Sequence, residues 1–217
     1  MNITRETIVL YVLMGFAALF AIMFHEIAHG LAAYMLGDNT AKERGRLSVN
    51  PLKHIDWVGL LMLIVVQFGW AKPVPVDIRY FKNPRTGMAI VAFAGPAMNF
   101  LMALFSILVY STLRFFDAAP LLILFFYLSV VINIGLGMFN LFPIPPLDGS
   151  KMLGIILPAR IHIQILRYER YGMILLILLL WTGVLGVPLR FLRDAVLNQY
   201  MRIDTWFLDF LYKMTGG

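Results

Sequence analysis

The segment FHEIAHG, Phe24 to Gly30, sets two histidines four residues apart, His25 and His29, with Glu26 directly after the first. On a helix the two imidazoles stand about 40° apart in azimuth and about 6 Å apart along the axis, so both can reach one ion. Glu26, turned about 100° from His25, is kept off that ion but close to a water bound to it. Zinc lowers the pKa of such a water toward ~7, and a carboxylate beside it can take the proton as the oxygen attacks a carbonyl. Metal-assisted hydrolysis with Glu26 as general base is the chemistry this spacing offers. The bland alternative is a helix end at a membrane surface, where His and Glu meet headgroups.

A catalytic zinc needs a third protein ligand and an open position. The chain has no cysteine, so thiolate sites, disulfides and thiol nucleophiles are excluded and the third ligand must be His, Asp or Glu. Asp148, in NLFPIPPLDGSKML, is the strongest candidate, being the only carboxylate between Asp117 and Glu169. An Asp before Gly149 also suits a cap on a helix that starts there. With HEIAH in the same chain, the ligand reading is preferred.

These residues must be positioned by a membrane protein. Of 217 residues, 60% are hydrophobic and 14% charged, and the mean hydropathy is +0.80. Too little polar surface exists to cover a soluble globule, so a soluble enzyme is excluded. A span of ~30 Å needs roughly 20 apolar residues. Thr7 to Phe24 reads as an uncleaved first helix, and Thr86 to Leu113 and Ala118 to Leu147 as an antiparallel pair, the latter ending near Asn140 because Pro143, Pro145 and Pro146 break it. Tyr171 to Leu189 reads as the last span. Trp57 to Ala71 is short for a span, and a re-entrant hairpin or a buried sheet fits it equally.

The expected fold is an all-α polytopic bundle of four to six membrane segments, with a re-entrant or β element near 57–76. Residues 1–189 form the membrane domain and 190–217 an amphipathic C-terminal tail. The net charge of +6 comes largely from loops. Lys42, Arg44, Arg46, Lys53, Lys72, Arg79, Lys82 and Arg85 lie between Gly37 and Arg85. That places these loops in the cytoplasm, with the first helix beginning outside, and calls for no nucleic-acid partner.

HEIAHG together with NLFPIPPLDG, Asn140 to Gly149, resembles the site-2 protease family of intramembrane zinc metalloproteases, whose pattern pairs HExxH with a distant NxxPxPxLDG element. NPLKHIDWVG at 50–59, FGWAKPVPV at 68–76 and AGPAMN at 94–99 resemble elements of its compact bacterial and archaeal branch, over roughly residues 15 to 157. The resemblance implies His25, His29 and Asp148 as ligands of one Zn2+ per chain and Glu26 as general base. It also implies Asn140 as a polar group that helps position substrate or its oxyanion. Many relatives carry a PDZ domain or paired CBS domains, for which 217 residues leave no room. Regulation through such modules is not expected.

Three further residues carry a bland and a functional reading side by side. His54 sits near the metal, shapes the entry or donates to an oxyanion, or else is satisfied by loop backbone. Asn99, an amide within an apolar run, calls for an interhelical hydrogen bond first and support of the site second. His162, among Arg160, Arg167 and Arg170, reads as interfacial. The resulting expectation is an intramembrane endopeptidase of a prokaryotic cell membrane, cutting a transmembrane segment of another protein from the cytoplasmic side. The 57–76 stretch would offer an edge to the unwound substrate. Its rivals are a silent scaffold or chaperone, a membrane zinc enzyme acting on a lipid or small peptide, and a zinc transporter.

Overall fold

The computed structural model describes residues 4–66, 69–158, 160–161, 164 and 169–215. His162 lies outside them. The first helix, α1 (Arg5–Met35), starts at Thr4, whose side chain accepts the Thr7 N–H, and buries a stripe of small residues, Ala17, Ala21, Ala28 and Ala33. Without side-chain bulk on that stripe, neighbouring backbones can come close, which is how helices associate in lipid. A one-turn helix, α2 (Thr40–Glu43), and a 3-10 turn at Pro51–His54 lead to α3 (Trp57–Val66). A second 3-10 turn at Ile78–Tyr80 precedes α4 (Pro84–Phe115), and α5 (Pro120–Asn140) returns antiparallel to it.

Both α4 and α5 open on a proline at their first position, where its missing N–H is no loss. The turn between them passes through Asp117 at φ 49°, a left-handed conformation that Asp tolerates better than most residues. Helices α1, α4 and α5 pack on one another and are the three long and apolar enough to cross a membrane. Their distribution of polarity is that of a membrane protein. Tyr11, Phe16, Leu101, Phe105 and Leu121 face outward, while His25, His29, Asn99, Asn133 and Asp148 are buried.

Helix α5 ends at Asn140, ahead of the prolines. The turn that follows delivers α6 (Asp148–Met152), which packs against α4. In the 57–76 region, α3 is followed by extended chain, joined back to the preceding turn by one antiparallel bridge, Ile55 with Ala71. No sheet forms among the described residues. The returning chain passes so close that a Cβ on Gly59 would run into the Trp70 carbonyl oxygen; only glycine permits that approach.

The stretch expected as one last span is broken. Helix α7 (Glu169–Trp181) stops, Gly183 adopts φ 73°, and α8 (Gly186–Thr215) leaves at 82°. If this bent pair is one crossing, the spans number four. Helix α8 packs along α4 and α5, where Val196, Leu197, Tyr200 and Met201 cover the core of Ala103, Ile107, Val130 and Ile134. Its Asp204 is buried, accepting from Ser111 Oγ at 2.6 Å and from Arg114 Nη1 at 3.0 Å.

Replacing Asp204 by Ala takes the carboxylate from Arg114 and leaves the Ser111 hydroxyl only the Ile107 carbonyl, 2.8 Å away, as acceptor, so a loss of about 1–3 kcal/mol is expected. A lower melting temperature in detergent, with faster amide exchange across residues 186–215, is the outcome to look for.

Candidate metal centre

His25 and His29 leave the same buried face of α1 and reach the interior between α4 and α6. Asp148 arrives there as the first residue of α6. It makes no capping bond of its own helix; its carboxylate turns to the imidazoles instead. His25 Nε2 and His29 Nε2 are 3.0 Å apart, and each lies 3.1 Å from Asp148 Oδ2. All three residues are at most 8% exposed.

What the three atoms can hold follows from where the protons are. His29 Nδ1 lies 2.7 Å from the Val91 carbonyl, which only accepts, so Nδ1 carries the proton and Nε2 a lone pair. His25 Nδ1 lies 2.6 Å from Asn99 Oδ1. The amide of Asn99 cannot be turned round, because its Nδ2 donates to Ala21 O at 3.1 Å and to Asn133 Oδ1 at 3.0 Å. Asn133 is fixed in turn, its Nδ2 donating to Ser129 O at 2.8 Å. His25 Nδ1 therefore also donates, and two imidazole lone pairs and a carboxylate oxygen converge with no proton between them. Such a group repels itself unless a cation occupies its centre.

The separations suit zinc. With bonds of ~2.0–2.1 Å, a tetrahedral ion holds its ligand atoms about 3.3 Å apart, close to the 3.0–3.1 Å found here. Among the described residues this is the one group of three or more such side chains able to share an ion. Gly95 on α4 makes the approach possible, since a Cβ there would stand 2.5 Å from His29 Nε2 and 2.6 Å from His25 Cε1.

Glu26, one residue along, is half-buried, and its Oε2 accepts the Val74 N–H at 2.9 Å. Val74 lies between Pro73 and Pro75, so this is the sole backbone donor of the triplet. The strand is pinned from both sides by buried charges. Arg46 donates to the carbonyls of Lys53, Lys72 and Pro73, and Asp38, fully buried, accepts the Asp77 N–H at 2.7 Å.

Of the remaining expected site residues, Asn99 has both of its readings at once, bridging helices and orienting His25. His54 is 1% exposed and stands outside the three-residue group, with Nε2 donating to Ser48 O at 2.8 Å and its carbonyl accepting from Lys72 N. Asn140 also stands outside it; its Nδ2 donates to Leu136 O at 3.0 Å, one turn back in α5. Sequence reasoning passed over Asn133, although it is an amide in an apolar run just as Asn99 is. It also assigned no role at the site to Gly95, Val74, Arg46 or Asp38.

A helical membrane protein with two histidines one turn apart, a distant aspartate on the same point and a free-standing glutamate beside them has the build of a membrane metallopeptidase. The comparisons agree. The model of Peptidase family M50 matches residues 117–182, which include Asp148. The Bacillus subtilis (strain 168) protein named "Putative zinc metalloprotease YwhC" is 36% identical over 189 residues, covering 82% of this chain and 86% of that protein. "Putative zinc metalloprotease Rip2" of Mycolicibacterium smegmatis is 27% identical over 200 residues, covering 88% and 71% respectively. No solved structure matches. The chain belongs to peptidase family M50, the site-2 proteases.

Outer hydrogen bonds of this kind typically govern metal affinity by 10–100-fold. Asn133→Leu, which leaves Ala21 O as the sole acceptor holding the Asn99 amide, should weaken zinc binding by up to about tenfold in a competition titration with a chelator. Gly135→Ala, in the same helix where a Cβ meets nothing within 4 Å, should leave it unchanged.

Proposed function

We propose that this protein is a zinc-dependent intramembrane endopeptidase that hydrolyses a peptide bond within the transmembrane segment of another membrane protein. One zinc per chain is held by His25, His29 and Asp148, in the cytoplasmic half of a prokaryotic cell membrane. The observation that carries the reading is the convergence of three acceptor atoms within 3.0–3.1 Å, with both imidazole protons committed elsewhere. Zinc, when bound, supplies Lewis acidity toward the attacking water and the scissile carbonyl.

The rest is done by side chains of this chain. Glu26 takes a proton from the water as its oxygen bonds to the carbonyl carbon, then returns it to the amide nitrogen as the C–N bond breaks. The Val74 N–H holds Oε2 and leaves Oε1 as the atom that carries the proton. Burial of the three ligands excludes bulk water, which strengthens each charge interaction there. A transmembrane helix shields its own carbonyls, so the substrate must unwind locally, and the extended chain near Val74 is where an unwound segment would lie. Asn140 gives one Nδ2 hydrogen to Leu136 O, and its second amide hydrogen is the donor that would help hold the substrate.

A general base contributes typically 10²–10⁴-fold to rate. Glu26→Gln keeps size and both histidines, so zinc content equal to wild type is expected, with cleavage of a helix-destabilised transmembrane reporter lowered at least about 100-fold. Equal cleavage by both proteins would refute the role of Glu26. Equal zinc with no cleavage by either would favour a scaffold.

A further inference from the structure

A second feature lies away from the three buried ligands. Between the Pro51–His54 turn, the base of α3 and the returning strand is a cavity of about 570 Å³. Arg44, Arg46, Lys53 and Lys72 line it together with apolar Leu52 and Trp57. None of the four cations has a carboxylate within 4 Å among the described residues. The one carboxylate in the lining, Asp56, is occupied with the first turn of α3, accepting from the Val58 and Gly59 N–H groups at 2.9 Å.

Arg46 makes the imbalance costly. It is 8% exposed, its guanidinium meets only backbone carbonyls, and its Nε is buried without a partner. Arginine does not shed its proton, and a buried cation with no counter-charge is destabilising. An anion in the cavity would supply the missing charge to Arg46 and to the three exposed cations around it.

The apolar residues beside the cavity say what carries that anion. Trp57 (71% exposed), Val58 and Leu61 form an outward face of α3 that begins at the cavity and that nothing in the described chain covers. A free anion would satisfy the cations and leave this face bare. A lipid satisfies both, with its phosphate among the basic groups and its acyl chain along α3, and Trp is the side chain most at home at that boundary.

We propose that this cavity is a binding site for an anionic phospholipid of the surrounding bilayer. The inference depends only on the chain being a membrane protein, and holds whether or not the peptidase reading does.

The test is native mass spectrometry of the full chain from detergent, offered phosphatidylglycerol and phosphatidylcholine in equal amounts. The first lipid retained should be phosphatidylglycerol by about tenfold. In the triple variant Arg44→Gln, Lys53→Gln, Lys72→Gln, all exposed side chains, that preference should fall to near parity. If the triple variant fails to fold, Lys53→Gln and Lys72→Gln made singly should each reduce it about threefold. Wild type without preference, or variants that keep it, would overturn the proposal. Inorganic phosphate at millimolar concentration should leave the preference intact; if it abolishes it, the ligand is a free anion and the lipid assignment falls.

Discussion

The structure turns on the direction of a few protons. From the Ser129 carbonyl, each step fixes the next: Asn133 must donate backward, Asn99 must donate to Asn133, and His25 must donate to Asn99. The outcome is that His25 presents a lone pair to His29 and Asp148, where an imidazole of the other tautomer would present a proton. Three helices carry this relay, so their relative placement is part of the centre. The small stripe of α1 and Gly95 of α4 bring the elements close enough for bonds of 2.6–3.1 Å.

Packing and chemistry are joined because the surroundings are lipid. In a bilayer a buried amide finds no water to replace a lost partner, so an incomplete relay is unfavourable by more than one bond. The same logic governs the loops. Arg46 and Asp38 fasten the extended strand by its backbone, and the one N–H of its Pro73–Val74–Pro75 triplet goes to Glu26. Two buried charges outside the three-residue centre thus control where the free-standing carboxylate points.

How far this could be read from the sequence depended on whether the cause was local. His25, Glu26 and His29 are placed by helical geometry alone, and Asp148 was marked by the scarcity of carboxylates around it. The end of α5 at Asn140 followed from its prolines. Other features needed tertiary structure. Hydropathy runs unbroken through Gly183 and cannot register a backbone turn, so the last span was read as continuous. The tail carries an apolar stripe that fits a membrane surface and a protein core equally; only the packed helices distinguish them. Asn99 announced that it wanted a partner, but not that the partner was His25. The Val74 bond to Glu26 joins residues 48 positions apart and leaves no local trace.

Zinc K-edge X-ray absorption on the purified full chain tests the centre most directly. Two imidazole nitrogens at ~2.0–2.1 Å and at least one carboxylate or water oxygen at ~2.0–2.2 Å are predicted, in a protein retaining zinc through purification. A spectrum without histidine scattering, or a folded protein that binds no zinc, would contradict the account.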